Sequence, residues 1–426
     1  MNIKKKQIGI INNLVTGIII IILGFVISIG SLNLYKFIIK LFIYIFIILG
    51  VSNLINFLLN RKIVRNFQTL FIIFLNIIIG TILFIFPKIS LSIIPFVFSI
   101  YLLFNSLVKL VNYLILKKVK LYSRFKELFF FLFFIILSFV FMIYPYDRLD
   151  IFVMIIGIYF IVVGFSKIND FLMDILPDNI KLKIKRRIKI TLPVFLDAFI
   201  PQAVLKNINK INNLDDFNKY DTNLKILIHL SDYGVNQFGH MDIIIDGIIY
   251  SYGNYDRNSR KLFATLGDGV LFKTKNKKNY INFCLSHNRE TIIEYGIKTT
   301  DKQMEKLNFQ LNKVLNDSYK WYPPVVSKKN VKKLYYADKI YNATKASFYK
   351  FKGSKFETFF IVGTNCTYFI NVLLENSIFI HLKLMGILSP GTYYEYLEEN
   401  YNSKNSKIIY KKIYKNDNSG DVSDKN

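Results

Sequence analysis

The sequence predicts a two-part chain, in which an all-α polytopic membrane bundle precedes an α+β soluble domain. Residues 8 to 173 consist of apolar stretches of about 20 residues, the length that crosses roughly 30 Å of hydrocarbon. Residues 205 to 415 have an ordinary soluble composition, with alternating strand patterns and an amphipathic helix. A strongly basic segment, interrupted by prolines, separates the two regions.

The domain boundaries follow from these shifts in composition. They give a transmembrane domain at 1–175, a basic interfacial linker at 176–222, an α+β domain at 223–414 and a disordered tail at 415–426. The formal net charge is +27, and much of it flanks the apolar stretches. Such clusters suit anionic lipid head groups better than nucleic acid. We therefore expect membrane lipids as partners and no nucleic acid.

Six transmembrane helices are predicted, and they pair into three helical hairpins. An internal repeat of 56 to 58 residues relates the hairpins and brings Asn56, Asn112 and Asp170 into register. Small residues in the even-numbered spans, such as Gly50 and Gly164, would let neighbouring helices approach closely. The predicted spans are 8–29, 37–59, 67–87, 91–115, 127–146 and 150–173.

The distribution of positive charge predicts the orientation of these spans. With the N-terminus inside, the inner side carries 17 lysine and arginine residues, whereas the outer loops carry three, with Lys40 just inside a span. This bias predicts a multi-pass protein of the cell (inner) membrane with cytoplasmic N- and C-termini. The linker contains Pro193 and Pro201, which argue against a seventh span.

The odd-numbered spans end in similar sequences, and so do the even-numbered spans. The odd spans end on LGFVISIG, GTILFIFP and SFVFMIYP, and the even spans end on GVSNLINFL, SLVKLVNYL and GFSKINDFL. Three repeated hairpins with these ends resemble the HdeD-like acid-resistance membrane proteins over residues 8 to 173. Lys40, Lys109 and Lys167 lie near span ends, from which a lysine side chain can reach the head groups. No array of carboxylates indicates transport.

The α+β domain is predicted from Leu224 onwards. A type I′ turn at Asp246-Gly247 predicts a hairpin of 240–245 and 248–253, and a capping box at Thr300 and Gln303 predicts a helix. That helix carries an apolar stripe at Met304, Leu307, Leu311, Val314 and Leu315. Further strands are predicted at 225–231, 270–274, 280–285 and 355–363, and further helices from Cys366 and from Pro390 to Tyr401.

Two of these segments suggest thiol chemistry. Cys366 follows a short break at 363–365 and begins a stretch with helical spacing, so we expect it at a helix N-terminus. Free N–H groups and the helix dipole lower the pKa of a thiol there, and a neighbouring imidazole can serve as base. His240 follows Gly239, which lets the chain turn tightly into the strand. Cys366 is therefore the candidate nucleophile and His240 the candidate base.

The other histidines and the second cysteine are assigned structural roles. These histidines are His229, His287 and His381. Cys284 and His287 form a lone Cys-x-x-His, which supplies too few ligands for zinc, and Cys284 is interpreted as a buried strand residue. The sequence therefore predicts no metal and no cofactor.

Gly239-His240 and Asn365-Cys366, in their strand and helix contexts, resemble the circularly permuted papain fold over about residues 224 to 400. This group includes the lecithin–retinol acyltransferase-like and NlpC-type thiol enzymes and a bacterial branch linked to lipoprotein N-acylation. In it, the histidine strand precedes the cysteine helix. The resemblance implies a cysteine nucleophile, a histidine base and attack on an acyl carbon.

The third residue of the predicted site has two candidates. The family spacing points to Tyr252, about twelve residues after the histidine. The two-residue turn, however, pairs position 242 with Ser251, which would share the face of His240 and leave Tyr252 on the opposite face. The N–H of Cys366 and a neighbouring group would bind an oxyanion, with Asn365 in support.

Two functions are compatible with this sequence. The first is a membrane-anchored, cysteine-dependent hydrolase or acyltransferase that acts near the inner leaflet on an acyl ester, thioester or amide carried by a lipid or peptide. The second is a non-enzymatic HdeD-like stress-resistance protein, in which the soluble domain is a degenerate binding module. The reactivity of Cys366 discriminates between them.

Overall fold

A computed structural model of the chain divides into two compact units. One consists of Gln7–Tyr113 with Ser123–Phe171, and the other contains residues 172–426 with two short earlier segments. Most of the predicted linker, residues 416–426 of the predicted tail, and His381 lie outside the described residues. The structure describes residues 2–30, 32–59, 67–175, 187–190, 222–231, 239–327, 333–374, 377, 382–385, 389–401 and 406–415.

The first unit is built from six apolar helices. Within the described residues, five helices are long and apolar enough to cross a membrane. The third predicted span is shorter than expected: its apolar run is Leu70–Ile85, and α3 ends before Phe86-Pro87, where proline disfavours a helical preceding residue. The helices are α1 (Asn2–Gly30), α2 (Leu32–Leu59), α3 (Phe67–Ile85), α4 (Pro87–Lys118), α5 (Arg124–Ile143) and α6 (Leu149–Ile175).

Close backbone approach at glycine brings the membrane helices together, as predicted for Gly50 and Gly164. A Cβ atom on Gly164 would lie 2.7 Å from the Gly17 carbonyl oxygen of α1, and one on Gly50 would lie 2.6 Å from Ile77 of α3. Lys109 of α4 pairs with Glu127 of α5 at 3.0 Å, so it has a carboxylate partner inside the bundle.

The second unit contains an eight-stranded antiparallel sheet with the order β12-β7-β2-β3-β4-β6-β9-β8. Two pairs complete the described strands: β1 with β11, where the predicted interfacial linker forms a strand, and β5 with β10. The strands are β1 (Arg187–Ile190), β2 (Leu224–Leu230), β3 (His240–Ile245), β4 (Ile248–Gly253), β5 (Leu266–Asp268), β6 (Val270–Thr274), β7 (Thr291–Ile297), β8 (Ser318–Trp321), β9 (Ser347–Phe351), β10 (Thr358–Phe360), β11 (Leu382–Met385) and β12 (Ile408–Tyr414).

Six helices of this unit are described. The capping box of α8 is present, because the side chains of Thr300 and Gln303 each bond the other residue's backbone, as predicted. The predicted helices from Cys366 and from Pro390 to Tyr401 are α11 and α12. The bounds are α7 (Lys277–His287), α8 (Asp301–Asn316), α9 (Pro324–Ser327), α10 (Tyr336–Thr344), α11 (Cys366–Leu374) and α12 (Pro390–Tyr401).

Two strand predictions are corrected. Residues 280–285 belong to α7, so Cys284 is helical. The reason is local: the Asn276 side chain caps the helix by accepting from the Asn279 N–H, and Tyr280, Ile281 and Cys284 form one buried helical face. The strand predicted at 355–363 is reduced to β10 (Thr358–Phe360).

The β3–β4 hairpin positions the candidate site. Asp246 and Gly247 have φ angles of 49° and 75°, which confirms the type I′ turn. The register pairs Ile243 with Tyr250, so the next pair outward is Asp242 with Ser251. Both faces of the sheet are covered, because alternate residues of β2 and β3 enter two different hydrophobic clusters.

Candidate functional site

His240 begins β3, and three oxygen atoms surround its Nε2. Asp242 Oδ1 lies at 2.9 Å, Ser251 Oγ at 2.9 Å and the Tyr255 hydroxyl at 3.1 Å. Asp242 and Ser251 are fully buried, whereas the His240 side chain is 28% exposed. One edge of the imidazole is therefore held in the fold, while the ring retains access to solvent.

Cys366 is the first residue of α11, as the sequence predicts. The helix packs on the face of the sheet that carries Met241, and the Thr367 hydroxyl donates to the Met241 sulfur at 3.6 Å. His240 and Asp242 lie on the opposite face, which Tyr280 also covers. The charge of His240 nevertheless acts on the Cys366 thiol, whose described hydrogen-bond partner is the Thr367 hydroxyl at 3.9 Å.

The charges of these two groups are coupled. Burial alone would raise the pKa of the Cys366 thiol, but the positive charge of His240 and hydrogen bonds outweigh it and lower that pKa. Burial likewise opposes the charge on His240, yet Cys366 and Asp242 outweigh burial and raise the pKa of the imidazole to about 10. The arrangement thus favours charge on both groups, a thiolate beside an imidazolium.

A second histidine extends the site on the far side of Asp242. His229 Nε2 lies 2.8 Å from Asp242 Oδ2, and His229 Nδ1 lies 2.8 Å from Glu290 Oε2. The Tyr280 hydroxyl donates to Asp242 Oδ2 at 2.5 Å. Burial disfavours a charged His229, but Asp242 and Glu290 raise its pKa well above the usual value. The buried carboxylate of Asp242 therefore lies between two imidazoles.

The hydroxyl of Tyr252 does not meet His240, contrary to the family spacing. It donates to the Phe356 carbonyl oxygen at 3.0 Å, and its ring stacks on Phe369 of the Cys366 helix. The reason is the alternation of side chains along β4, which directs Tyr252 to the hydrophobic cluster that also contains Met241 and Phe369, and Ser251 to the histidine. Ser251, the second candidate, is thus the residue next to the imidazole.

Asn365 caps the helix that carries Cys366. Its Oδ1 accepts from the Tyr368 N–H at 2.9 Å, and its Nδ2 donates to the Ile361 carbonyl oxygen at 2.8 Å. This geometry supports the position of Cys366 but commits the amide to the backbone. Asn365 thus caps α11, and its predicted support of an oxyanion stays a prediction.

His229, Cys284 and Glu290 form a buried cluster that the sequence did not reveal. Their ligand atoms lie within 4.8 Å of one another, a donor set of the kind that zinc accepts. However, His229 Nδ1 and Glu290 Oε2 are 2.8 Å apart, whereas two ligands of one tetrahedral zinc ion would be about 3.3 Å apart. This separation is that of a hydrogen bond between the two side chains. His287 lies elsewhere, beside Lys339.

Sequence reasoning missed Asp242, Tyr255 and the pair His229–Glu290. Asp242 had a visible signal, because it is the one acid inside an otherwise apolar strand and it lies two residues after His240. Tyr255, His229 and Glu290 had none, because three different segments bring them to the site.

The five long apolar helices and the sheet-containing unit define the class: a membrane-associated protein with a C-terminal domain that contains a β-sheet. A protein-family model described as a short repeat of unknown function (DUF308) matches residues 74–143, from within α3 to the end of α5. No curated protein and no solved structure matches the chain.

Proposed function

We propose that the chain is a membrane-anchored thiol enzyme, a hydrolase or acyltransferase in which Cys366 is the nucleophile and His240 the base. One observation carries this proposal: a buried thiol at a helix N-terminus is coupled in charge to an imidazole whose other side is held by Asp242. This is the arrangement that thiolate nucleophiles require. The order of histidine strand and cysteine helix also supports a permuted papain-like domain.

The ring nitrogens of His240 have separate roles. Because three oxygens lie within 3.1 Å of Nε2, we propose that Nδ1 is the nitrogen that exchanges a proton with the Cys366 thiol. Asp242 then orients the imidazole and stabilises its positive charge, which is the task of the third member in Ser-His-Asp and Cys-His sites. Ser251 and Tyr255 complete the hydrogen bonding around Nε2.

We further propose that His229 and Glu290 are positioning residues. Asp242 is fully buried and needs compensation for its charge, which His229 supplies at 2.8 Å. Glu290 in turn balances His229, so that the negative charge of Asp242 remains available to His240. The contacts thus run from Glu290 through His229 and Asp242 to His240, whose positive charge acts on Cys366.

The reaction follows from these roles. The Cys366 thiolate attacks the acyl carbonyl carbon, a C–S bond forms, and the negative charge moves to the carbonyl oxygen. The Cys366 N–H, unpaired within α11 because it begins the helix, is aimed as an oxyanion donor. Collapse breaks the bond to the leaving alcohol, thiol or amine, which takes the proton of His240. Water or an acceptor amine or hydroxyl then attacks the carbonyl carbon of the thioester and gives its proton to His240. The C–S bond breaks, the acyl product leaves, and Cys366 returns to the thiolate.

The side of the membrane on which we place the reaction is inferred from the charge distribution of the sequence. The positive-inside bias supports a domain on the cytoplasmic side, where the acyl substrate would belong to a lipid or peptide at the inner leaflet.

Labelling of the full-length protein by an acyl-type electrophilic probe tests the proposal. We expect labelling of the wild type and of Cys284→Ala, and loss of labelling in Cys366→Ala and His240→Ala. Cys284 is the matched control, because it is the other buried free cysteine and burial raises the pKa of its thiol to about 11. Thermal unfolding of each variant controls for misfolding. Equal labelling of the wild type and Cys366→Ala would remove the basis of the proposal.

The match of residues 74–143 to the DUF308 repeat favours a second candidate, an HdeD-like stress-resistance function of the bundle. In that case a stress phenotype of cells that carry this protein would survive Cys366→Ala unchanged. If the protein acts in the same response as an enzyme, cells that carry Cys366→Ala should lose the stress phenotype.

A further inference from the structure

The turn at residues 261–265 directs two apolar side chains into solvent. Phe263 is 100% exposed and Leu262 is 63% exposed. Leu262, Phe263 and Ala264 have φ angles of 47°, 56° and 67°, in the left-handed region that non-glycine residues rarely adopt, and then mostly singly. The fold therefore holds an apolar pair outwards in a conformation that costs free energy.

Hydrogen bonds hold this turn on both sides. Lys261 and Leu266 exchange backbone bonds of 2.8 Å and 3.3 Å across its base. The amide of Asn254 donates to the carbonyl oxygens of Ala264 and Leu266, each at 3.3 Å. The exposure of Phe263 is thus a property of a built turn.

The same turn is joined to the N-terminus of α11. The Ile361 N–H donates to the Thr265 carbonyl oxygen at 3.0 Å, and the Ile361 carbonyl oxygen accepts from Asn365 at 2.8 Å. Asn365 directly precedes Cys366. One hydrogen-bonded framework therefore connects the apolar tip with the candidate nucleophile.

The surroundings of the turn are basic. Arg257, Arg260 and Lys261 are exposed next to it. The nearby carboxylates of Asp256 and Asp268 are both paired with Lys350, at 2.6 Å and 2.7 Å. Arg260 donates to the Asn254 carbonyl oxygen and Arg257 lies over the Tyr335 ring, and no salt bridge to a carboxylate is seen for the three cations among the described residues. An aromatic and an aliphatic side chain beside exposed cations is the composition of segments that lie in a lipid interface.

We propose that this turn is a membrane-docking element, which inserts Leu262 and Phe263 at the boundary of head groups and acyl chains while the three basic residues contact anionic head groups. A bilayer is always within reach, because the same chain carries five helices long and apolar enough to cross one. Docking brings the Cys366 end of α11 to the lipid surface; the consequence for catalysis, but not the docking, rests on the proposed function.

Tryptophan fluorescence of the full-length protein in bilayers tests this surface. Trp321 is the one tryptophan of the chain, so Trp321→Phe combined with Phe263→Trp gives a single reporter at the tip. The protein is reconstituted in mixed phosphatidylglycerol–phosphatidylcholine bilayers, with and without bromine on the acyl chains. We expect brominated lipid to quench the emission of this reporter, and we expect weaker quenching when Arg257→Gln and Lys261→Gln are added.

Phe309 supplies the matched control. It lies on α8, is 66% exposed and is not part of the turn, so Phe309→Trp in the same background reports on an exposed aromatic site elsewhere. Its emission should not respond to bromine. If the reporter at position 263 is unquenched, or quenched no more than the one at 309, the docking surface is refuted. A blue-shifted but unquenched reporter at 263 would indicate protein contact and would refute it equally.

The two proposals fail separately. Quenching requires no substrate, and labelling of Cys366 requires no bilayer. Intact labelling without quenching refutes the docking turn alone, whereas intact quenching without labelling refutes the enzyme alone.

Discussion

Asp242 follows His240 by two positions in the same strand, and its Oδ1 lies 2.9 Å from Nε2 of His240. The aspartate is fully buried, and its remaining oxygen contacts Tyr280 and His229. Burial would raise the pKa of this carboxyl, but the charges of His240 and His229 outweigh burial and hold the pKa far below its usual range. Asp242 is thus an anion that links the candidate base to the buried second histidine.

Replacing Asp242 by asparagine should impair the candidate nucleophile. The amide removes the carboxylate that stabilises the imidazolium of His240, so we expect labelling of Cys366 to slow by on the order of 100-fold. Asp246→Asn in the turn of the same hairpin is the control, since asparagine is favoured there. Equal labelling rates of the two variants at neutral pH would contradict the role of Asp242.

The two cysteines should differ in their pH profiles of alkylation. His240, whose own pKa is raised to about 10, lowers the pKa of Cys366, so the Cys366 thiolate should form at a lower pH than the thiolate of a free cysteine. Cys284, with a pKa raised to about 11, should stay protonated. Mass spectrometry of alkylated peptides from pH 5 to 10 measures both profiles, and His240→Gln should shift the Cys366 profile upwards. Coincident profiles would contradict the pair.

Removing His229 should destabilise the soluble domain. His229→Gln leaves Asp242 and Glu290 without the cation between them, and loss of one partner from a buried ion pair costs about 3–5 kcal/mol. Thermal unfolding of the full-length protein, followed by near-ultraviolet circular dichroism, measures this effect. Glu305→Gln on the exposed surface of α8 is the control, and a His229→Gln variant as stable as this control would be inconsistent with the network.

The sign of the pH dependence follows from the raised pKa of His229. A raised folded-state pKa gives stability that is fully present below about pH 6.5 and is lost as the pH rises through the folded-state value. The unfolding free energy contributed by this group therefore falls above pH 6.5, by up to about 1.4 kcal/mol per pH unit. The slope should be smaller in His229→Gln than in the wild type. An unchanged slope would assign it to other groups.

Tyr252→Phe and Ser251→Ala should affect different properties of the protein. The Tyr252 hydroxyl donates to Phe356 and not to His240, so its loss should cost about 1 kcal/mol of stability and leave the alkylation profile of Cys366 unchanged. Ser251 lies 2.9 Å from His240 Nε2, so its loss should shift that profile. If Tyr252→Phe alone shifts the profile, the hydroxyl acts on the imidazole after all.

Local signals of the sequence were sufficient for several elements. The Asp246-Gly247 turn and the Thr300–Gln303 capping box were predicted, because neighbours in the chain fix both structures. The segment around Cys284 was assigned to the wrong element, because its short apolar run fits a strand as well as a helix. The Asn276 cap, which starts the helix there, was not recognised as a signal.

The sequence alone determined the division into an apolar helical region and a sheet-containing region, the hairpin turn, and the positions of Cys366 at a helix start and His240 at a strand start. These depend on periodicity, caps and turns, which act between residues close in the chain. Only the tertiary structure decided that Asp242 and Ser251, and not Tyr252, hold the imidazole, and that His229 and Glu290 lie behind them. The physical reason is that side-chain alternation and strand order set which groups share a buried face, and the pairing of β2 with β3 and β7 joins residues that lie far apart along the chain.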